Sequence, residues 1–275
     1  MIPLKDENPT RHPPVATIAI ILACIAVYLL WQPSPLDETD ADARFNVEYA
    51  AIPCEIREGR PLTIDELRAT YQVGRSDSCG LGSPDSPAGF PEKSVWESVL
   101  VSMFLHGSVL HLGGNLLFLW IFGNNIEDHL GPIRYVLFYV AGGVVATLGH
   151  VALNLDSTIP MVGASGAIAA VMGAYLVWFP EAPVRTLLTF FFILVVRIRA
   201  KWLLGFWFAL QFFTSPNSGV AWAAHVGGFL FGSVVGLAVR ASPVLRALLW
   251  RRSARAALGT RWDPTGGVGY ASFTR

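Results

Sequence analysis

Charge is what this chain has least of. Of its 275 residues only 15% are charged, against about 25% in an ordinary soluble domain. Lys and Arg balance Asp and Glu to a net charge of zero, which removes the electrostatic footprint of a nucleic-acid partner. Three cysteines without paired Cys/His spacing exclude a zinc-ribbon or finger, and no bound metal or other cofactor is expected. What is present instead is apolar: 53% hydrophobic residues and a mean hydropathy of +0.47. These values describe a polytopic membrane protein.

Spans of roughly 20 apolar residues divide the chain. Six are expected: Val15–Trp31, Val109–Phe122, Ile133–Leu153, Ala164–Phe179, Trp202–Phe213 and Val220–Val239. Val184–Val196 is also apolar, but it is short, β-branched and aromatic and runs into Arg197, Arg199 and Lys201. It is read as interfacial or re-entrant, not as a seventh span. The fold class is thus an all-α polytopic bundle of six transmembrane helices (15–240) with a long extracytoplasmic first loop (33–93). An N-terminal segment 1–14 and a basic tail 241–275 complete it.

Orientation follows the Lys/Arg bias. The stretch Arg240–Arg275 carries seven Arg and one Asp, whereas the 33–93 loop carries twelve acidic and six basic residues. Both termini are therefore expected on the cytoplasmic side. Val15–Trp31 lacks a small-x-small cleavage site before Gln32-Pro33 and is read as a retained helix, not a signal peptide. Without an organelle-targeting extension, a bacterial inner membrane is the default. Within the loop, Pro61–Gln72 is expected to form a short helix capped by Thr63 with Glu66 three residues on, and Gly74–Pro91 to form turns or disordered chain. A Cys54–Cys79 disulfide is permitted there, and free thiols are equally compatible with the sequence. Cys24 reads as a small buried hydrophobe, and the chain after Gly259 as flexible.

Polar groups inside the apolar segments carry the chemistry, since an ionisable group at that depth costs about 2.5 kcal/mol or more. Ser165 opens the fourth segment in Val162-Gly163-Ala164-Ser165-Gly166, where helix N-terminal N–H groups are free. His225 lies in the sixth, in Ala224-His225-Val226-Gly227-Gly228. Gly228, Gly232 and Gly236 recur every four residues and bare one helix face, on which His225 also lies. That face is expected to pack on the fourth segment and bring the imidazole to the serine. His111 and Asn115, four residues apart, share a helix face and form a donor pair suited to an oxyanion. Read singly, each has a plainer role: His111, Asn115 and His225 as interhelical hydrogen bonds, Gly163, Ser165 and Gly166 as small residues at a close crossing. No Asp or Glu stands in either helix to orient the ring, so a Ser-His dyad is expected and not a triad.

Taken together the pieces resemble the rhomboid intramembrane serine proteases. They are His106-Gly-Ser-Val-Leu-His111-Leu-Gly-Gly-Asn115, Glu127 in Gly123-Asn-Asn-Ile-Glu127, Gly163-Ala-Ser165-Gly166, and Ala224-His225-Val-Gly-Gly228-Phe-Leu-Phe-Gly232. They stand in the family's order over about residues 95–240. The resemblance implies a serine endopeptidase with Ser165 as nucleophile and His225 as base. His111, Asn115 and the Ser165 N–H would form the oxyanion hole, with Gly163, Gly166, Gly228 and Gly232 shaping the site. Segment five would gate a substrate that is itself the transmembrane helix of another protein in the same lipid. The resemblance also implies a surface helix in 94–105 and a structural role for Glu127. One departure is Glu97, which follows Trp96 where many members carry Trp-Arg. The alternatives are a catalytically silent rhomboid-like scaffold that binds membrane proteins, and a transporter. Intact Ser165, His225 and Asn115 speak against the first, and the lack of an inverted repeat against the second.

Overall fold

A computed structural model describes residues 1–33, 40–189, 193–214 and 221–249; the basic tail beyond 249 lies outside them. Its centre is a helix, Ser165–Trp178, which becomes α8 when the helices are numbered along the chain. The sequence Ser-Gly-Ala-Ile-Ala-Ala-Val-Met-Gly-Ala-Tyr-Leu-Val-Trp offers small or apolar residues on every side. A helix without a polar face has no surface to leave outside, and this one is buried almost throughout. Around it stand α1 (Val15–Leu30), α6 (Val109–Leu130), α7 (Pro132–Leu153), α9 (Ala200–Gln211) and α10 (Trp222–Ala241). These occupy the six expected segments. Three of them, α6, α7 and α10, are long and apolar enough to cross a membrane; α1 and α8 are shorter apolar helices.

The sixth segment lies against the fourth at a distance only glycine permits. A Cβ at Gly232 would fall 1.8 Å from the Ala170 carbonyl oxygen, and one at Gly228 would fall 2.1 Å from that of Gly166. The approach is mutual, since a Cβ at Gly173 would sit 2.1 Å from the Phe229 carbonyl oxygen. Trp178 Nε1 donates to the Gly236 carbonyl at 3.0 Å and pins the far end of the same crossing.

Helix α6 runs eight residues beyond the expected Phe122, which brings Glu127 under α1. The first turn of α1 has no acidic residue and no side-chain cap of its own. Glu127 supplies one, accepting from Ala16 N at 2.9 Å, Thr17 N at 2.8 Å and Thr17 Oγ1 at 2.8 Å. Its carboxylate satisfies helix N-terminal donors from another part of the chain.

The all-α expectation needs correction, because a three-stranded sheet is present. The described residues of Val184–Val196 are strand: β2 (Pro183–Thr189) pairs antiparallel with β3 (Ile193–Arg199). The N-terminal β1 (Ile2–Asp6) adds to β2 with Ile2 opposite Leu187 and Asp6 opposite Val184. Val184 and Thr186 point inward and Arg185 outward, the period-two alternation of a strand. Glu7 and Glu181 pair with Arg197 and Arg199 at 3.0 Å, fixing the charged end of the hairpin.

The described residues of the 33–93 loop form α2 (Asp40–Tyr49), α3 (Pro53–Glu58) and α4 (Ile64–Tyr71). The capping box on α4 forms as expected: Thr63 accepts from Glu66 N while Glu66 accepts from Thr63 N. A Cys54–Cys79 disulfide closes the loop, with 5.6 Å between the Cα atoms. The buried Lys93 ammonium holds Glu55 and the carbonyls of Val47 and Ala50. This unit grips the connection between α7 and α8. Met161 N donates to Ala51 O, Cys54 N to Ser157 O and Thr158 N to Ser76 O, each within 2.9 Å. The expected helix in 94–105 is α5 (Val95–Val101), with Trp96 and Glu97 both exposed.

Candidate active site

Ser165 is the first residue of α8, and the chain reaches it through Gly163. Gly163 has φ +128°, a conformation that side chains rarely adopt, and a Cβ there would lie 2.8 Å from His111 Nε2. The same point is 3.6 Å from Asn115 Nδ2. The two α6 donors therefore converge two residues before Ser165, where the N-terminal N–H groups of α8 are also free. Gly163 N donates to Ser102 O at 2.9 Å, and Ser102 Oγ accepts from Ala51 N at 2.6 Å. The turn is thereby tied to α5 and to the disulfide-closed loop.

Asn115 is buried, and its Nδ2 has no hydrogen-bond partner among the described residues. An unpaired buried amide donor is costly and calls for an explanation. His111 sits in the first turn of α6, which Ser108 caps. Its Nδ1 accepts from Gly107 N at 3.4 Å, so in the neutral ring Nε2 carries the proton and faces Gly163 as a donor. His106 stacks edge-on against His111 at 5.3 Å. Burial, then the neighbouring His111, pushes the His106 imidazole down to about 4, so it stays neutral. Its backbone is held at both ends by Gln32 at the foot of α1.

His225 on α10 places Nε2 2.8 Å from Ser165 Oγ. Gly228, one turn on, allows that distance, and Gly166 completes the fit because a Cβ on it would meet Ala146 Cβ at 2.7 Å. Ser165 and His225 are both only partly buried, so the pair is accessible. The four polar residues expected at the site are thus brought to one place with Gly163, Gly166 and Gly228, while Gly232 lies one turn further along the crossing, against Ala170. A nucleophile-grade hydroxyl, a nitrogen base and a set of convergent N–H donors are the parts acyl transfer requires.

Two residues at this place were not among those expected. Gln211, at the end of α9, has Oε1 2.7 Å from His225 Nδ1, and the Trp207 ring centroid lies 5.7 Å from that of His225. The lack of a carboxylate led to an unassisted dyad; an amide from a third helix occupies the carboxylate's position. A lone Gln in the apolar run Trp202–Phe213 was the available signal. Among the described residues, one grouping has metal-ligating atoms close enough for an ion: Cys54, Glu66 and Cys79. Its two sulfurs are bonded to each other and are not free as thiolate ligands.

Comparison with known proteins shows the family to which the chain belongs. The rhomboid protease GluP of Bacillus subtilis is 34% identical over 137 residues, covering 50% of this chain and 25% of that protein. The human mitochondrial presenilin-associated rhomboid-like protein is 30% identical over 149 residues, 51% of this chain and 37% of its own length. The mitochondrial RHOMBOID-like protein 6 of Arabidopsis thaliana is 28% identical over 201 residues, 69% and 59% respectively. The chain thus spans between a quarter and three fifths of the length of these relatives. They come from a bacterium and from mitochondria, so they lend no support to the bacterial inner membrane as a default. A model of the rhomboid domain matches residues 92–242, more than half of the chain, with α5 through α10 and every residue of the site inside it: the chain belongs to the rhomboid family.

Proposed function

We propose that this integral membrane protein is a serine endopeptidase that cuts a peptide bond in or near the transmembrane helix of another membrane protein. The observation that carries the reading is the 2.8 Å contact between Ser165 Oγ and His225 Nε2 beside the unpaired Asn115 amide. In this reading α1, α6, α7, α8, α9 and α10 all cross the bilayer, with both termini on the cytoplasmic side and the 33–93 loop opposite.

The reaction follows from the positions of the groups. Ser165 Oγ attacks the scissile carbonyl carbon as its proton passes to His225 Nε2. The carbonyl oxygen becomes an oxyanion, held by Asn115 Nδ2, His111 Nε2 and the Ser165 N–H. His225 returns the proton to the leaving amine as the C–N bond breaks and an ester to Ser165 remains. Water, deprotonated by His225, then cleaves the ester. The substrate helix must unwind locally, because its carbonyls are otherwise engaged in hydrogen bonds. Small residues at the cut fit a site whose floor is Gly163 and Gly166.

The test is cleavage of a single-span reporter with a small-residue, helix-breaking segment, by purified wild type and Ser165→Ala in detergent. Cleavage by wild type alone is expected. Equal cleavage by both would refute Ser165 as nucleophile. Binding of the reporter without cleavage by either would favour the scaffold.

A further inference from the structure

Gln211 closes a helix that is apolar from Trp202 to Leu210, and it is buried. A primary amide there has two donors and an acceptor to satisfy. Its Nε2 donates to the Trp207 carbonyl one turn back at 2.9 Å. That bond fixes which end of the amide faces inward: Oε1, 2.7 Å from His225 Nδ1. An amide oxygen only accepts, so Nδ1 carries the proton. A neutral imidazole protonated on Nδ1 has its lone pair on Nε2, and Nε2 is the atom beside Ser165 Oγ. The opposite tautomer would present an N–H to the serine and be unable to take its proton. The Trp207 ring, 5.7 Å from the imidazole and inclined by 39°, walls the same ring from the same helix face.

We propose that Gln211 is a positioning residue: it holds His225 in the base-competent tautomer and completes a relay Ser165–His225–Gln211 across α8, α10 and α9. This rests on the protease reading above. A neutral amide supports the imidazolium less than a carboxylate does, so its effect lies in orientation and tautomer more than in charge. The other titratable groups that face the ring are His111 on α6 and His150 on α7; both remain in the variants below.

The experiment uses the full chain in detergent with Gln211→Met, which keeps length and loses the acceptor, and Gln211→Glu, which restores an acceptor with charge. Gln211→Met is expected to lower kcat on the reporter about tenfold, the worth of one net hydrogen bond, with KM and melting temperature nearly unchanged. Gln211→Glu is expected to recover kcat and to move the acid limb of the pH profile upward, because a carboxylate stabilises the imidazolium and delays formation of the base. A side chain that merely fills space would leave that limb in place. Nitrogen NMR of the ring, identified by its loss in His225→Ala, gives a readout independent of turnover: an Nδ1–H tautomer in wild type, lost in Gln211→Met. Wild-type kcat and an unchanged nitrogen spectrum in Gln211→Met would overturn the proposal. Absence of Ser165-dependent cleavage by wild type would instead sink the protease reading and the relay with it, while the spectrum still showed whether Gln211 sets the tautomer.

Discussion

Gly228→Ala adds one methyl group, and the structure says where it must go. The new Cβ would lie 2.1 Å from the Gly166 carbonyl oxygen, about 1.3 Å inside an ordinary 3.4 Å contact. The obstacle is backbone in the first turn of α8, so no rotamer change relieves it. Helix α10 must withdraw by about an ångström, and His225, three residues earlier on the same face, withdraws with it. The 2.8 Å contact to Ser165 then approaches about 4 Å, beyond hydrogen-bond reach. Misplacement on that scale is expected to cost about 10²-fold in turnover, and overpacking about 1–3 kcal/mol in stability. Reporter turnover and thermal unfolding in detergent would be measured beside Gly205→Ala on α9. There an added Cβ meets nothing within 4 Å, and both properties should hold. Wild-type turnover and melting temperature in Gly228→Ala would refute the claim that the glycine contact sets the serine–histidine distance.

Other expectations concern the donors and the loop. Asn115→Ala should lower kcat about 10²-fold as one of several oxyanion donors; unchanged turnover would remove it from that role. Replacing Cys54 and Cys79 together by Ser should cost about 3 kcal/mol of loop-closure stabilisation, read by chemical denaturation. It should also slow cleavage, because the loop grips the 154–163 connection into Ser165. Burial alone would raise the Glu66 carboxyl, but hydrogen bonds from Arg60, Thr63 and Gly80 outweigh it and hold the group at about 2. A carboxylate held low stabilises the fold fully above about pH 4.5, and that contribution is lost as pH falls through about 2. Amide exchange across α4 should therefore accelerate in acid, and Glu66→Gln should show the faster exchange already at neutral pH.

The helices were legible because burial in an apolar phase writes itself into the sequence as long hydrophobic runs. Five of the six segments were placed to within three residues at either end. The second was cut short at Phe122 because Asn124, Asn125, Glu127 and Asp128 interrupt the run, although the last three serve α1 and the N-terminal segment across the helix end. The sheet was not legible. Ile2–Asp6 is too short to show a period, and its partner lies some 180 residues away. Val184–Val196 reads alike as a buried helix or a strand by hydrophobicity alone. Ser165, His225, His111 and Asn115 stood out as polar groups with helical spacing next to glycine. Gln211 did not, since a base's partner was sought among carboxylates and in the two helices already implicated. The disulfide was equally beyond the sequence, because loop length does not report how near two cysteines fold.

The central claim is that Ser165 is a nucleophile activated by His225. Its most direct test is labelling of the full chain with a serine-directed fluorophosphonate, with the modified peptide identified by mass spectrometry. The account requires one adduct, on Ser165 in wild type, lost in Ser165→Ala and strongly slowed in His225→Ala. An adduct on another serine, or labelling of Ser165 at the same rate without the imidazole, would contradict it.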